Sequence, residues 1–138
     1  MNRQEKAASL HHKGYNCAQA VACSFCDRIQ IDEKTMFMLM EGYGFGMGDT
    51  YGTCGAISGA VAVFSLLSSK GNLDGPYSKA DTYKAVKALT ADFRVKNGAT
   101  ICRDLKGMDT KIMLRSCDGC IEDTVTILEK MLDNKSVG

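Results

Sequence analysis

The chain contains no tryptophan and one proline, Pro76. With so few breakers, helices can run on without interruption. It has no long apolar run either. The longest, from Ala60 to Leu67, is far short of the ~20 residues a membrane-spanning helix needs, so membrane insertion is not expected. The N-terminal stretch MNRQEKAASLHHKG lacks the apolar centre of a signal peptide, which makes a cytoplasmic location the expectation. Neither sign of charge dominates: 17 Lys and Arg face 16 Asp and Glu, for a net charge of +1. That balance offers nucleic acid or a membrane surface no electrostatic grip. The strand alternation of a half-buried sheet and any internal repeat are also missing.

What is present begins with size and sulfur. The 138 residues, 45% hydrophobic and 24% charged, suit a single soluble domain spanning 1–138 with a real core. Seven cysteines are too many for chance in so short a chain. An odd number cannot all pair internally. In a reducing compartment a structural disulfide framework is not expected. Metal or cluster ligation, redox chemistry and inert buried thiols remain.

The periodicity predicts an all-α, small single-domain bundle of about five to six helices. The first runs from Arg3 to Lys13, with Ala7 and Leu10 inward and Gly14 ending it. Asn16 caps a second, Cys17 to Ile29, on the line Val21, Phe25, Ile29. Asp32 caps a third to about Met40, with Met36, Phe37, Leu39 and Met40 apolar. After a glycine-rich loop, Ile57, Val61, Phe64 and Leu67 mark a fourth, ended by Gly71. Ser78 and Asp81 have capping-box spacing ahead of a fifth helix to Lys96, with Tyr83, Val86, Leu89 and Phe93 inward. Thr100 is placed to cap a short turn carrying Cys102 and Leu105. Asp118 is placed to cap a last helix carrying Ile121, Val125, Leu128 and Leu132.

The centre of the chain is GYGFGMGDTYGTCGAISG, residues 42–59. Thr53 is a capping residue, which puts Cys54 in a first helical turn, where the positive helix end favours thiolate. Gly55 and Gly59, four apart, let another backbone come close. Cys17 follows Asn16, Cys102 lies two after Thr100, and Cys120 lies two after Asp118. Four cysteines thus share one setting, just past a cap, where unpaired amides accept negative charge. Converging, they would suit thiolates or an anionic iron–sulfur centre. Gly44, Gly46, Gly48, Gly55 and Gly59 are the positions where backbone can approach a cofactor at those sulfurs. The loop lacks the G-K-[ST] ending of a nucleotide site, and close packing against the sulfur site is the preferred reading for it.

Three thiols stand outside that set. Cys117 and Cys120 form a C-x-x-C at a helix start, an arrangement that lowers thiol pKa; it leaves open which of the two is the fourth functional sulfur. Cys23 and Cys26 lie within a helix and read as core. His11 and His12 point about 100° apart on a helix, which fits a solvated pair better than a chelate. The eight methionines read as core filling. Arg103 and Lys106 are candidates to steady nearby thiolates.

The segments GYNCAQAV (14–21), GFGMG (44–48), CGAISG (54–59), CRDL (102–105) and the late Cys120 resemble, in order, the C-GCAxxG-C-C proteins. That family is named for redox activity, without an assigned reaction. Its four cysteines map to Cys17, Cys54, Cys102 and Cys120. It is also similar to the iron–sulfur part of split-Soret cytochromes, which implies an iron–sulfur cluster as a candidate cofactor. The C-x-x-C-H signature of attached haem is lacking here.

Three functions compete. In the first, a cytoplasmic thiol-dependent oxidoreductase or electron carrier uses Cys17, Cys54, Cys102 and Cys120. They act as a dithiol/disulfide couple, with Cys54 the first nucleophile, or as ligands of a cluster. Its partner would be a redox protein or a small thiol or disulfide. In the second, the protein is non-enzymatic and zinc on those cysteines, or with Cys117 among them, holds helices together. In the third, it is an interaction module with incidental thiols. Glycine-faced helices also suit a homodimer.

Overall fold

The structure, a computed structural model, describes residues 1–137, and the side chains of residues 1–134. Among these it is all-α, with seven helices of which six have seven residues or more. They are α1 (Arg3–Lys13), α2 (Cys17–Cys23), α3 (Glu33–Met40), α4 (Gly55–Ser68), α5 (Lys79–Asn97), α6 (Cys102–Lys106) and α7 (Cys117–Val137).

The bundle is built around α2. Every residue from Ala18 to Cys23 is buried, because α1, α3, α4 and α7 all pack on it. Its start is set by a full capping box. The Asn16 side chain accepts from the Gln19 amide, and the Gln19 side chain accepts from the Asn16 amide. Its end comes sooner than the periodicity implied. Helical bonding stops at Cys23, and the chain continues in tight turns, with Cys26 N–H to the Cys23 carbonyl at 3.2 Å and Arg28 N–H to Phe25 at 2.8 Å. The Ser24 hydroxyl contributes by donating to the Val21 carbonyl at 2.7 Å, a local bond that competes with helix continuation. Phe25 and Ile29 are nevertheless buried as the pattern required.

The tightest seam is between α2 and α4. A Cβ at Gly59 would lie 2.5 Å from the Ala18 carbonyl oxygen, and one at Gly55 would lie 3.2 Å from the Ala18 nitrogen. The small face of α4 is therefore backbone pressed on backbone, which brings Cys17 and Cys54 to the same end of the bundle. On the other side α1 lies along α7, tied by Gln4 Nε2 donating to Thr126 Oγ1 and Glu129 Oε1. The end of α5 is joined to α7 through Asp123, which accepts from Asn97 Nδ2 at 3.2 Å and pairs with Lys96 and Arg115.

Several details differ from the sequence expectations. Leu39 and Tyr83 are exposed. α4 stops at Ser68, before Gly71. Ser78 makes no capping bond; its hydroxyl accepts from the Lys70 amide instead. No helix among the described residues is long and apolar enough to cross a membrane.

Candidate functional site

Four helix starts meet at one end of the bundle, and each brings sulfur. Cys17 is the first residue of α2, behind the Asn16 cap. Cys54 is itself the N-cap of α4, so the cap is one residue later than Thr53 suggested. Thr53 instead pairs with Ile101 as an isolated antiparallel bridge. Cys54 N–H donates to the Thr100 carbonyl at 2.8 Å, and Cys102 N–H donates to the Gly52 carbonyl at 3.0 Å. This short pairing sets Cys54 beside Cys102, the first residue of α6, whose N-cap is Ile101 and not Thr100. In α7 the capping oxygen belongs to Ser116, which accepts from the Gly119 amide at 3.0 Å. Cys117 is then the first helical residue, with Cys120 one turn on, while Asp118 is left to other partners.

The sulfurs surround a cavity of about 210 Å³ lined by Cys17, Cys54, Cys102, Cys117 and Cys120 together with His11, Phe45, Lys106 and Arg115. All seven cysteines are free thiols. Around the cavity they associate in pairs. Cys17 is hydrogen-bonded to Cys117, and Cys54 to Cys120. Among the described residues no three of these sulfurs lie within 4.8 Å of one another. Four thiolates on one zinc ion would sit roughly 3.8 Å apart, given a Zn–S bond of about 2.3 Å, so the present arrangement is two and two.

Within each pair one sulfur is favoured as thiolate. Cys117 is pulled down to about 5, first by the hydrogen bond from Cys17 and then, against the cost of burial, by the charge and hydrogen bond of Lys106 and the charge of His11. Lys106 Nζ donates to its sulfur at 3.4 Å. Cys17, the donor, is driven upward by that same bond and by burial. Cys54 is lowered by the bond from Cys120 and, in spite of burial, by the amides of Ala56 and Ile57. The sulfur faces these amides without making a regular capping bond. Cys120 rises correspondingly. Cys102 has no thiol partner of this kind and is raised by burial.

The glycine loop packs on this site. Phe45, Gly46, Met47 and Gly48 all take positive φ, and the sharp left-handed path lays Gly46 on Cys102, where a Cβ would meet the Cys102 Cβ at 2.5 Å. Gly44 is closed off by the Asn16 side chain and Gly59 by Ala18, while Gly48 faces open space. Of the five glycines, Gly55 lines the cavity. Phe45 projects at its mouth, 54% exposed, with Lys106 Nζ 5.7 Å from the ring.

Cys23 and Cys26 do not join the cavity. They are hydrogen-bonded to each other at the other end of α2, and Cys23 is pushed up to about 12, chiefly by burial. Of the two basic candidates, Lys106 reaches the sulfurs and Arg103 does not. Arg103 pairs with Asp109 at 2.8 Å and stacks over Tyr51. Sequence reasoning missed His11, Phe45 and Arg115 as lining residues: no local motif marks His11 or Arg115, and in GFGMG attention fell on the glycines and passed over Phe45. It also separated His11 and His12, whose rings in fact converge on Asp118, His11 Nδ1 to Oδ1 at 2.7 Å and His12 Nε2 to Oδ2 at 2.8 Å.

Residues 15–131 match the model of the family described as "Putative redox-active protein (C_GCAxxG_C_C)". Comparison with curated proteins and with solved structures finds no match.

Proposed function

We propose, for a chain that belongs to the family described as "Putative redox-active protein (C_GCAxxG_C_C)", that its redox centre is the pair of thiol couples Cys17/Cys117 and Cys54/Cys120. The observation that carries this reading is the two-by-two hydrogen bonding of four sulfurs around one cavity. A thiol that donates to a neighbouring thiolate is already placed to form a disulfide with it.

In this reading the first attack falls to Cys117 in preference to Cys54. Cys117 is half-buried, whereas Cys54 is 5% exposed. The Cys117 thiolate attacks one sulfur of a partner disulfide, forming a mixed disulfide and expelling the partner's other sulfur as thiolate. Cys17 then gives up its proton to water and attacks the Cys117 sulfur. The Cys17–Cys117 disulfide forms and the second partner sulfur leaves. The partner gains two electrons and this chain loses two. Lys106 holds negative charge at Cys117 before the attack, and Phe45 shields the mouth of the cavity. The partner is a protein or small-molecule disulfide. The reaction belongs in a reducing compartment such as the cytoplasm, where another thiol can restore the dithiol.

A second reading rests on the cavity between the pairs. The donor set suits an iron–sulfur cluster, which Cys17, Cys54, Cys117 and Cys120 would hold between them. Bound there, such a cluster would supply one-electron transfer. The helix-start amides and Lys106 would balance its negative charge. Zinc on four thiolates receives less support from sulfurs arranged in twos.

The deciding experiment uses protein made and purified without oxygen, with its absorption spectrum recorded and iron, sulfide and zinc quantified. Colourless, metal-free protein that oxidant converts to Cys17–Cys117 and Cys54–Cys120 disulfides supports the dithiol reading. Visible bands with stoichiometric iron and sulfide favour the cluster. Oxidation that leaves all four thiols free in metal-free protein overturns both.

A further inference from the structure

We propose that His11, His12 and Asp118 form a binding site for a divalent transition metal of the zinc type, at the edge of the thiol cavity that His11 also lines. Among the described residues this is the group whose three ligand atoms all lie within 4.8 Å of one another. The site is made by two helices that are distant in sequence. The last turn of α1 carries both histidines, and the first turn of α7 carries Asp118. Their close packing fixes the two sets of ligands relative to each other.

Adjacent residues on a helix ordinarily diverge, and the structure resolves this through the choice of ring nitrogen. His11 presents Nδ1, the nitrogen near its backbone, and His12 presents Nε2, the one at its tip. The short reach and the long reach end at the same carboxylate. The rings lie 6.1 Å apart and are inclined at 42°, so both can face one point without stacking. The side chain of His11 is 26% exposed and therefore held, while the more exposed His12 leaves open the side from which an ion and its waters enter.

The donor chemistry selects the class of metal. Two imidazole nitrogens and one carboxylate oxygen suit zinc, copper or nickel ions. Calcium and magnesium prefer sites built wholly of oxygen. Three protein ligands with a side open to water is the arrangement of zinc sites that keep an exchangeable position. The carboxyl end of α1 adds a negative dipole beside the histidines. On binding, each ring keeps one proton but carries it on the other nitrogen, Nε2 of His11 and Nδ1 of His12, so that the facing nitrogen is free to ligate.

The test follows imidazole nitrogens by NMR during titration with zinc ion. The chain has two histidines, so each signal is assigned by a single variant, and His12, which does not line the thiol cavity, distinguishes this site from metal on the thiols. The expected result is joint movement of His11 and His12 signals, with the ring protons relocated. D118N and H12Q should each weaken the response by about tenfold or more, which corresponds to a loss of at least ~1.4 kcal/mol. Both altered side chains are largely exposed, and C117S should leave the response intact. Stationary signals up to about 1 mM zinc, or an unchanged response in D118N, would show a plain ion pair and overturn the site. Movement of His11 alone would mean zinc on the thiols only, and overturns it equally.

Discussion

Cys117 and Cys23 both lie one turn from a second cysteine, Cys120 and Cys26, and the two sites are chemically opposite. Cys117 opens a helix, faces a cavity and has Lys106, His11 and the Cys17 thiol about it; it is pulled down to about 5. Cys23 closes a helix, is 0% exposed and has Cys26 and Glu33 nearby; it is pushed up to about 12. Spacing alone therefore does not make a thiol reactive. Burial raises both thiols, and the tertiary neighbours decide whether the charge is offset, as by Lys106 and His11 at Cys117, or repelled, as by Glu33 at Cys23.

The largest expected effect tests that contrast directly. At pH 7 the thiolate fraction of Cys117 should exceed that of Cys23 by ~10⁵. Lower intrinsic nucleophilicity of the more acidic thiol takes back about 10³. Alkylation read peptide by peptide should thus favour Cys117 by at least about a hundredfold, and C117S should remove the fast phase. Equal labelling of the two would end the comparison. The pH profile has a definite sign. Below its pKa Cys117 is protonated, so its rate should rise from pH 4 to pH 6, around the midpoint near 5, and be flat above. Rising rates up to pH 9 would show an ordinary thiol.

A structural break comes next. G59A introduces a methyl 2.5 Å from the Ala18 carbonyl oxygen, and backbone has nowhere to yield. A loss of about 2–3 kcal/mol in denaturant unfolding is expected. Because α2 and α4 carry Cys17 and Cys54, oxidation of the variant should also yield fewer of the paired disulfides. Undiminished stability would mean that the α2–α4 seam is looser than described. K106Q should have a smaller effect, several-fold, by removing the cation 3.4 Å from the Cys117 sulfur. The labelling midpoint should move up, while the rate at pH 9 stays close to that of the unaltered protein. The smallest effect is expected for C23A, a buried sulfur exchanged for a methyl at a cost of about 1 kcal/mol, with no change in Cys117 labelling or disulfide yield. A loss of redox behaviour in C23A would draw the second pair into the function.

Much of the bundle was legible because helix signals are local. The Asn16 cap, the small face made by Gly55 and Gly59, and the stripe Ile121, Val125, Leu128, Leu132 are all written within a few turns of chain, although which backbone Gly59 meets, that of Ala18, was not. Boundaries were less legible where alternatives competed. Thr53, Thr100 and Asp118 are all good capping residues, yet the caps are Cys54, Ile101 and Ser116. Thr53 is held in a backbone bridge to Ile101, and Asp118 has two histidines to bind. Thr53 is thus withheld from capping through its backbone, and Asp118 through its side chain.

The sequence by itself determined that the fold is helical and that cysteines stand at helix starts, because periodicity and turn chemistry are written in neighbouring residues. Tertiary structure decided which sulfur faces which. Cys17 meets Cys117 across 100 positions of chain, and Lys106 and His11 arrive from two further elements. Charge and hydrogen bonding act over a few ångströms of space whatever the separation along the chain. The division of five thiols into two couples and a lone Cys102, and the meeting of two histidines on one carboxylate, therefore exist only once the helices have packed.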